Sequence, residues 1–140
     1  MSETSTLFVT QLLEAWNAHD VERVTAFYAP DYEGEDVGQA RLQQGLEGVR
    51  QTIARYWHAF PDLHLTQEAT ISQRDQVALF WTARGTHRGK IMNIPPTGRP
   101  IQVRGASLLT LQDGRIKRGL IIWDVAGLLR AIGLLPELQK

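Results

Sequence analysis

The richest stretch for chemistry in this 140-residue chain is Tyr28-Ala29-Pro30-Asp31-Tyr32-Glu33-Gly34-Glu35-Asp36. A carboxylate that faces an apolar cavity is costly to ionise. Its pKa climbs toward neutrality, and it can then accept a carbon-bound proton near pH 7. Glu35 or Asp36 could be such a base. Glu33, Glu35 and Asp36 equally suit a solvated strand edge, because so many acids in one short run cannot all point inward.

The remaining side chains narrow the chemistry. There is no cysteine, which excludes disulfides, thiolate nucleophiles and Cys-type metal sites. His19, His58, His64 and His87 show no metal-ligand spacing, so no metal is expected. Gly85-x-x-x-Gly89 is neither a phosphate loop nor a dinucleotide fingerprint, and the few lysines sit in no evident apolar strand face. The expectation is acid–base work with no metal and no cofactor. His87 follows a strand-like run and could be a proton shuttle, a polar cavity anchor or a structural histidine tying down a loop. Asp124 could be an acid or the N-cap of a final helix.

These groups must be positioned by elements that the periodicity outlines. Phe8, Leu12, Ala15 and Trp16 recur at helical spacing, which predicts a helix over 5–18. Asp20 suits the N-cap of a short second helix carrying Val21, Val24, Phe27 and Tyr28, closed by Pro30. A short acidic strand follows over 32–37, and the polar segment 39–48 gives no clear pattern. Val49, Ile53, Trp57 and Phe60 predict a third helix, ended by Pro61.

From Leu63 the period is two, predicting strands over 63–68, 76–84, 101–111 and 116–123. Asp113-Gly114 is a hairpin turn, and a helix over 125–132 is stopped by Gly133. The long connection 85–100 holds Pro95-Pro96-Thr97-Gly98, which cannot continue a ladder. Leu120-Ile121-Ile122-Trp123 is apolar on both faces, so both must be covered. Helices followed by antiparallel strands indicate an α+β domain spanning 1–140. Trp16, Trp57, Phe60, Trp81 and Trp123 are core candidates, and in a hollow fold some would also form the pocket wall.

Fifteen bases balance fifteen acids, with eleven of the acids in residues 1–68. In one domain these halves interleave, so no nucleic-acid face is expected. No apolar run is long enough to span a bilayer, and the first residues lack a signal-peptide pattern. A cytoplasmic protein with no membrane partner is the expectation.

Several motifs, in order over nearly the whole chain, carry a resemblance. They are Trp16-Asn17-x-His19-Asp20, Tyr28-Ala29-x-Asp31, Ala59-Phe60-Pro61-Asp62, Gly85-Thr86-His87-x-Gly89 with Ile94-Pro95-Pro96-Thr97-Gly98-Arg99, Asp113-Gly114-Arg115-Ile116, and Gly127-Leu128-Leu129-Arg130. The chain resembles the SnoaL-like polyketide cyclases (ester cyclases) of the nuclear transport factor 2-like superfamily. That resemblance implies a cone-shaped fold, a curved antiparallel sheet whose N-terminal helices enclose a cavity, and a homodimer that pairs sheets.

It also implies a small apolar or polycyclic ligand and cofactor-free, cyclase-type aldol chemistry on a polyketide-like carbonyl compound. An isomerase or epoxide-hydrolase reaction in the same cavity, or a non-catalytic binding protein, are the alternatives. Asp36, five residues after Asp31, resembles the placement of the ketosteroid isomerases' base, and cyclase relatives often carry His where this chain has Glu35. The ring-closing acid of the last strand falls at Ile121 here, so that acid is missing. Ser107 matches the position of the isomerases' protonated acid, and His87 or Ser107 would donate to the developing oxyanion. Asp124 survives from the family pattern. Trp16, Tyr28, Trp57, Phe60, Trp81, Ser107, Ile121 and Trp123 are the expected substrate contacts.

Overall fold

The change of period at residue 63 is also the architectural divide. In the computed structural model, which describes residues 2–139, helices α1 (Ser2–Asn17), α2 (Val21–Thr25) and α3 (Gly45–Ala59) precede most of the sheet. The strands are β1 (Tyr28–Asp36), β2 (Gln43–Gln44), β3 (His64–Gln73), β4 (Gln76–Thr86), β5 (Pro100–Gln112) and β6 (Arg115–Trp123), and α4 (Val125–Ala131) ends the fold. One curved six-stranded sheet runs in the order β2-β1-β6-β5-β4-β3. Its pairings are antiparallel except β1 with β6, which is parallel. The α+β reading holds, and that parallel pair is an addition to it.

Local chemistry explains the boundaries. The Asp20 side chain accepts from the Arg23 N–H and caps α2, as expected. Pro30 does not close that helix, however. It stops at Thr25, and Tyr28 and Pro30 both lie in β1. The β1–β6 register shifts between Tyr28 and Glu33, so the proline falls where no ladder donor is required. Asp113 and Gly114 both take positive φ, the conformation that a two-residue hairpin turn needs. Gly133 at φ +85° stops α4.

The helices cover one face of the sheet. Val9 and Leu13 of α1 pack on Val77 and Leu79, while Val49 and Ile53 of α3 join Tyr32, Leu109 and Ile116. The centre of the opposite face is apolar and exposed. Two cross-strand rows, Ala69–Phe80–Ala106–Ile122 and Ile71–Ala78–Leu108–Leu120, run across β3, β4, β5 and β6. No helix among the described residues is long and apolar enough to cross a membrane.

Candidate functional site

Strand alternation decides which acids face inward. On β1, Tyr32, Gly34 and Asp36 are buried, whereas Glu33 and Glu35 are exposed. A cavity of about 150 Å³ lies between the helices and the covered sheet face. Asp36, Ile121, Ser107 and Leu79 form one row across its floor, each the Cα partner of the next. Tyr56, Thr52 and Val49 of α3, Leu12, Leu13 and Trp16 of α1, and Tyr28, Phe60, Trp81 and Trp123 complete much of the wall.

Asp36 is 3% exposed and accepts four hydrogen bonds. Oδ1 receives the Gly38 N–H at 2.7 Å and the Trp123 Nε1–H at 2.8 Å. Oδ2 receives the Tyr56 hydroxyl at 2.8 Å and, more weakly, the Gln39 amide at 3.3 Å. Gly38 is required for this arrangement, because a Cβ there would lie 2.3 Å from the Trp123 indole. Burial, and then the Asp36 charge and hydrogen bond, push the Tyr56 phenol well above its ordinary pKa, so its proton stays on.

Two further devices shape the floor. Gly34 and Gly119 are Cα partners, and a Cβ on either would strike the Tyr32 hydroxyl, at 2.2 and 2.5 Å. This bare patch lets the Tyr32 ring lie over the sheet, and its hydroxyl makes a long 3.5 Å hydrogen bond to Gln43 Oε1. Burial, then the Tyr28 and Asp36 groups, raise the Tyr32 pKa, and burial lifts Tyr28 to about 12. Gly105 plays the same part on β5. It leaves room for the Trp81 indole, whose Nε1–H donates to Ser107 Oγ at 3.0 Å. The serine hydrogen remains available to a cavity ligand.

Asp36, Trp16, Tyr28, Phe60, Trp81, Ser107, Ile121 and Trp123 therefore line the cavity. Four other candidates do not. Glu35 points outward by strand parity. His87 is fully buried but outside the cavity: its Nδ1 accepts the Thr97 N–H at 3.2 Å and its backbone bonds Gly98 and Arg99, so it ties down the proline loop. Asp124 is an exposed N-cap accepting from the Gly127 N–H. Trp57 stacks on His19 and packs edge-on to Trp16, behind the wall.

The sequence reading missed Tyr32, Gln43, Thr52 and Tyr56. A signal existed for α3, since Val49, Thr52 and Tyr56 share a helical face one position away from the stripe of Ile53 and Trp57. No His/Asp/Glu group suited to a metal occurs among the described residues.

The sequence model described as SnoaL-like polyketide cyclase matches residues 6–132. Cyclase aurE of Calcarisporium arbuscula is 28% identical over 92 residues, 66% of this chain and 65%, just under two thirds, of that protein. Nogalonic acid methyl ester cyclase of Streptomyces nogalater is 24% identical over 123 residues, 87% of this chain and 92% of that one. Among solved structures, IdmH of Streptomyces antibioticus, a candidate polyketide cyclase, is 30% identical with a TM-score of 0.78, covering 92% of this chain and 98% of that one. AclR of Streptomyces galilaeus, a candidate hydroxylase, has a TM-score of 0.85 at 24% identity, covering 99% and 90%, a likeness of fold alone.

Proposed function

Because the chain belongs to the SnoaL-like polyketide cyclase family, we propose that it binds a polyketide-like carbonyl compound in this cavity and closes a ring by aldol chemistry, with Asp36 as the base. One observation carries the reading: Asp36 is the only carboxylate lining the cavity among the described residues. It stands one strand from Ile121, the position where the family resemblance expects an acid.

Asp36 removes a proton from the carbon beside a carbonyl, and the enolate oxygen accepts a hydrogen bond from the Ser107 hydroxyl, which keeps its proton. The enolate carbon then bonds to a second carbonyl carbon. The alkoxide formed takes the proton back from Asp36, so the carboxylate is regenerated. Tyr56 and Trp123 hold the carboxylate in place, while the longer Gln39 contact is the one that a substrate can displace. The uncovered outer sheet face supports a homodimer.

A second reading, a non-catalytic binding protein, draws support from the four donors that already fill the Asp36 lone-pair sites. Incubation with nogalonic acid methyl ester separates the two. Ring closure by the natural chain, lost in Asp36→Asn, is expected. Tight binding without turnover would favour the binder, and neither binding nor turnover would overturn both.

A further inference from the structure

Three buried side-chain nitrogens have no hydrogen-bond partner among the described residues: Gln43 Nε2, Trp57 Nε1 and His87 Nε2. An amide left unpaired away from water is costly and uncommon. Of the three residues, only Gln43 lines the cavity. Its position is held from two sides. Gln43 is the Cα partner of Gly34 on β1, and Gly48 of α3 lies directly on its backbone, where a Cβ would come within 3.1 Å. The Tyr32 hydroxyl donates to Oε1, which leaves Nε2 as the end of the amide without a partner.

We propose that Gln43 is a ligand-binding residue whose Nε2–H donates to a carbonyl oxygen of the bound molecule, with Tyr32 as the positioning residue that fixes the amide's orientation. The placement suits one small ligand. Gln43 lies one strand and two residues from Asp36, roughly 8 Å between Cα positions at ordinary strand spacings. A molecule held by one carbonyl oxygen at Gln43 therefore extends along the floor past Asp36, toward Ser107. The ligand class is a largely apolar body carrying an acceptor oxygen, since Leu12, Val49 and Ile121 on the same wall offer only van der Waals contact. This rests on the proposed binding of a carbonyl compound in the cavity, but not on any catalytic step.

The test compares two probes of one shape, 2-acetylnaphthalene and 2-ethylnaphthalene, which differ in the carbonyl oxygen. Binding is followed by tryptophan fluorescence. The natural chain is expected to favour the ketone about fivefold, the worth of one neutral hydrogen bond, and to shift its carbonyl stretch to lower wavenumber. In Gln43→Met the preference for the ketone over ethylnaphthalene and the infrared shift should vanish. Tyr32→Phe should weaken both. Gln43→Leu, which also lacks a donor, repeats the test if the methionine variant does not fold. A preference or shift that survives in a folded Gln43 variant overturns the assignment, as does a natural chain with no ketone preference. Failure of both probes to bind the natural chain would instead overturn the cavity-binding reading beneath it.

Discussion

Asp36 and Ile121 are Cα partners across the parallel β1–β6 pairing, so the cavity's carboxylate sits directly beside the place where the family resemblance expects one. Putting Asp at 121 would set two carboxylates side by side in a largely apolar wall. One of them must then hold its proton to much higher pH. A raised pKa gives stability that is present below the unfolded value and lost as pH rises through the folded one. Ile121→Asp is therefore expected to cost little near pH 4 and several kcal/mol, roughly 3, near pH 8. Denaturant melts of both proteins across that range check it. A pH-independent cost would mean that the new acid escapes the cavity.

Removing the carboxylate itself has a different signature. Asp36→Ala strands the Tyr56 hydroxyl, the Trp123 Nε1–H and the Gly38 N–H in a buried site. The expected loss is about 3–5 kcal/mol. Asp36→Asn keeps one accepting oxygen but turns an N–H₂ toward a donor, and about 1–3 kcal/mol should be lost. Urea unfolding measures both. Equal stability of all three proteins would show that the four hydrogen bonds are not formed in solution.

All three tyrosines of the chain, Tyr28, Tyr32 and Tyr56, line the cavity, and each has its pKa raised chiefly by burial. A raised folded pKa stabilises the protein below the unfolded value near 10 and ceases to do so as pH climbs past the folded one. For Tyr28, from 10.0 to about 12, the contribution is about 3 kcal/mol. Tyrosinate absorbance at 295 nm should stay close to zero at pH 10.5 in the folded protein and appear together with unfolding above that. A reversible titration of one tyrosine near pH 10, with the fold intact, would contradict the burial of that ring.

How much of this was legible follows from what each signal encodes. The alternation of Leu79, Trp81 and Ala83 or of Ser107, Leu109 and Leu111 reports directly on a strand with one buried face, and the structure agrees. Parity within β1 was equally decisive, yet Glu35 and Asp36 could not be separated without knowing which parity faced in. Gln43 was illegible because β2 is only two residues long and takes its place from Gly34 and Gly48 rather than from any pattern of its own. His87 carries a family motif, but what fixes it is Thr97, ten residues away across the proline loop. Long-range partnerships of that kind leave no local period.

The outer sheet face makes the last prediction. Ile71, Ile122, Phe80 and Leu108 are 64%, 52%, 42% and 40% exposed, and the two cross-strand rows join them into one apolar surface. A patch of that kind on a lone protomer is an interaction site or an aggregation hazard. An apolar patch on a sheet face is self-complementary under a two-fold axis, each row meeting its own copy. Sedimentation at micromolar concentration is expected to give a dimer. Leu108→Glu lies between Ala78 and Leu120 in one row, so it would bring like charges close across the axis and is expected to give a monomer. Far-UV circular dichroism should not change, because residue 108 contributes nothing to the helix-covered side. A dimer that persists unchanged in Leu108→Glu would place the contact on another surface.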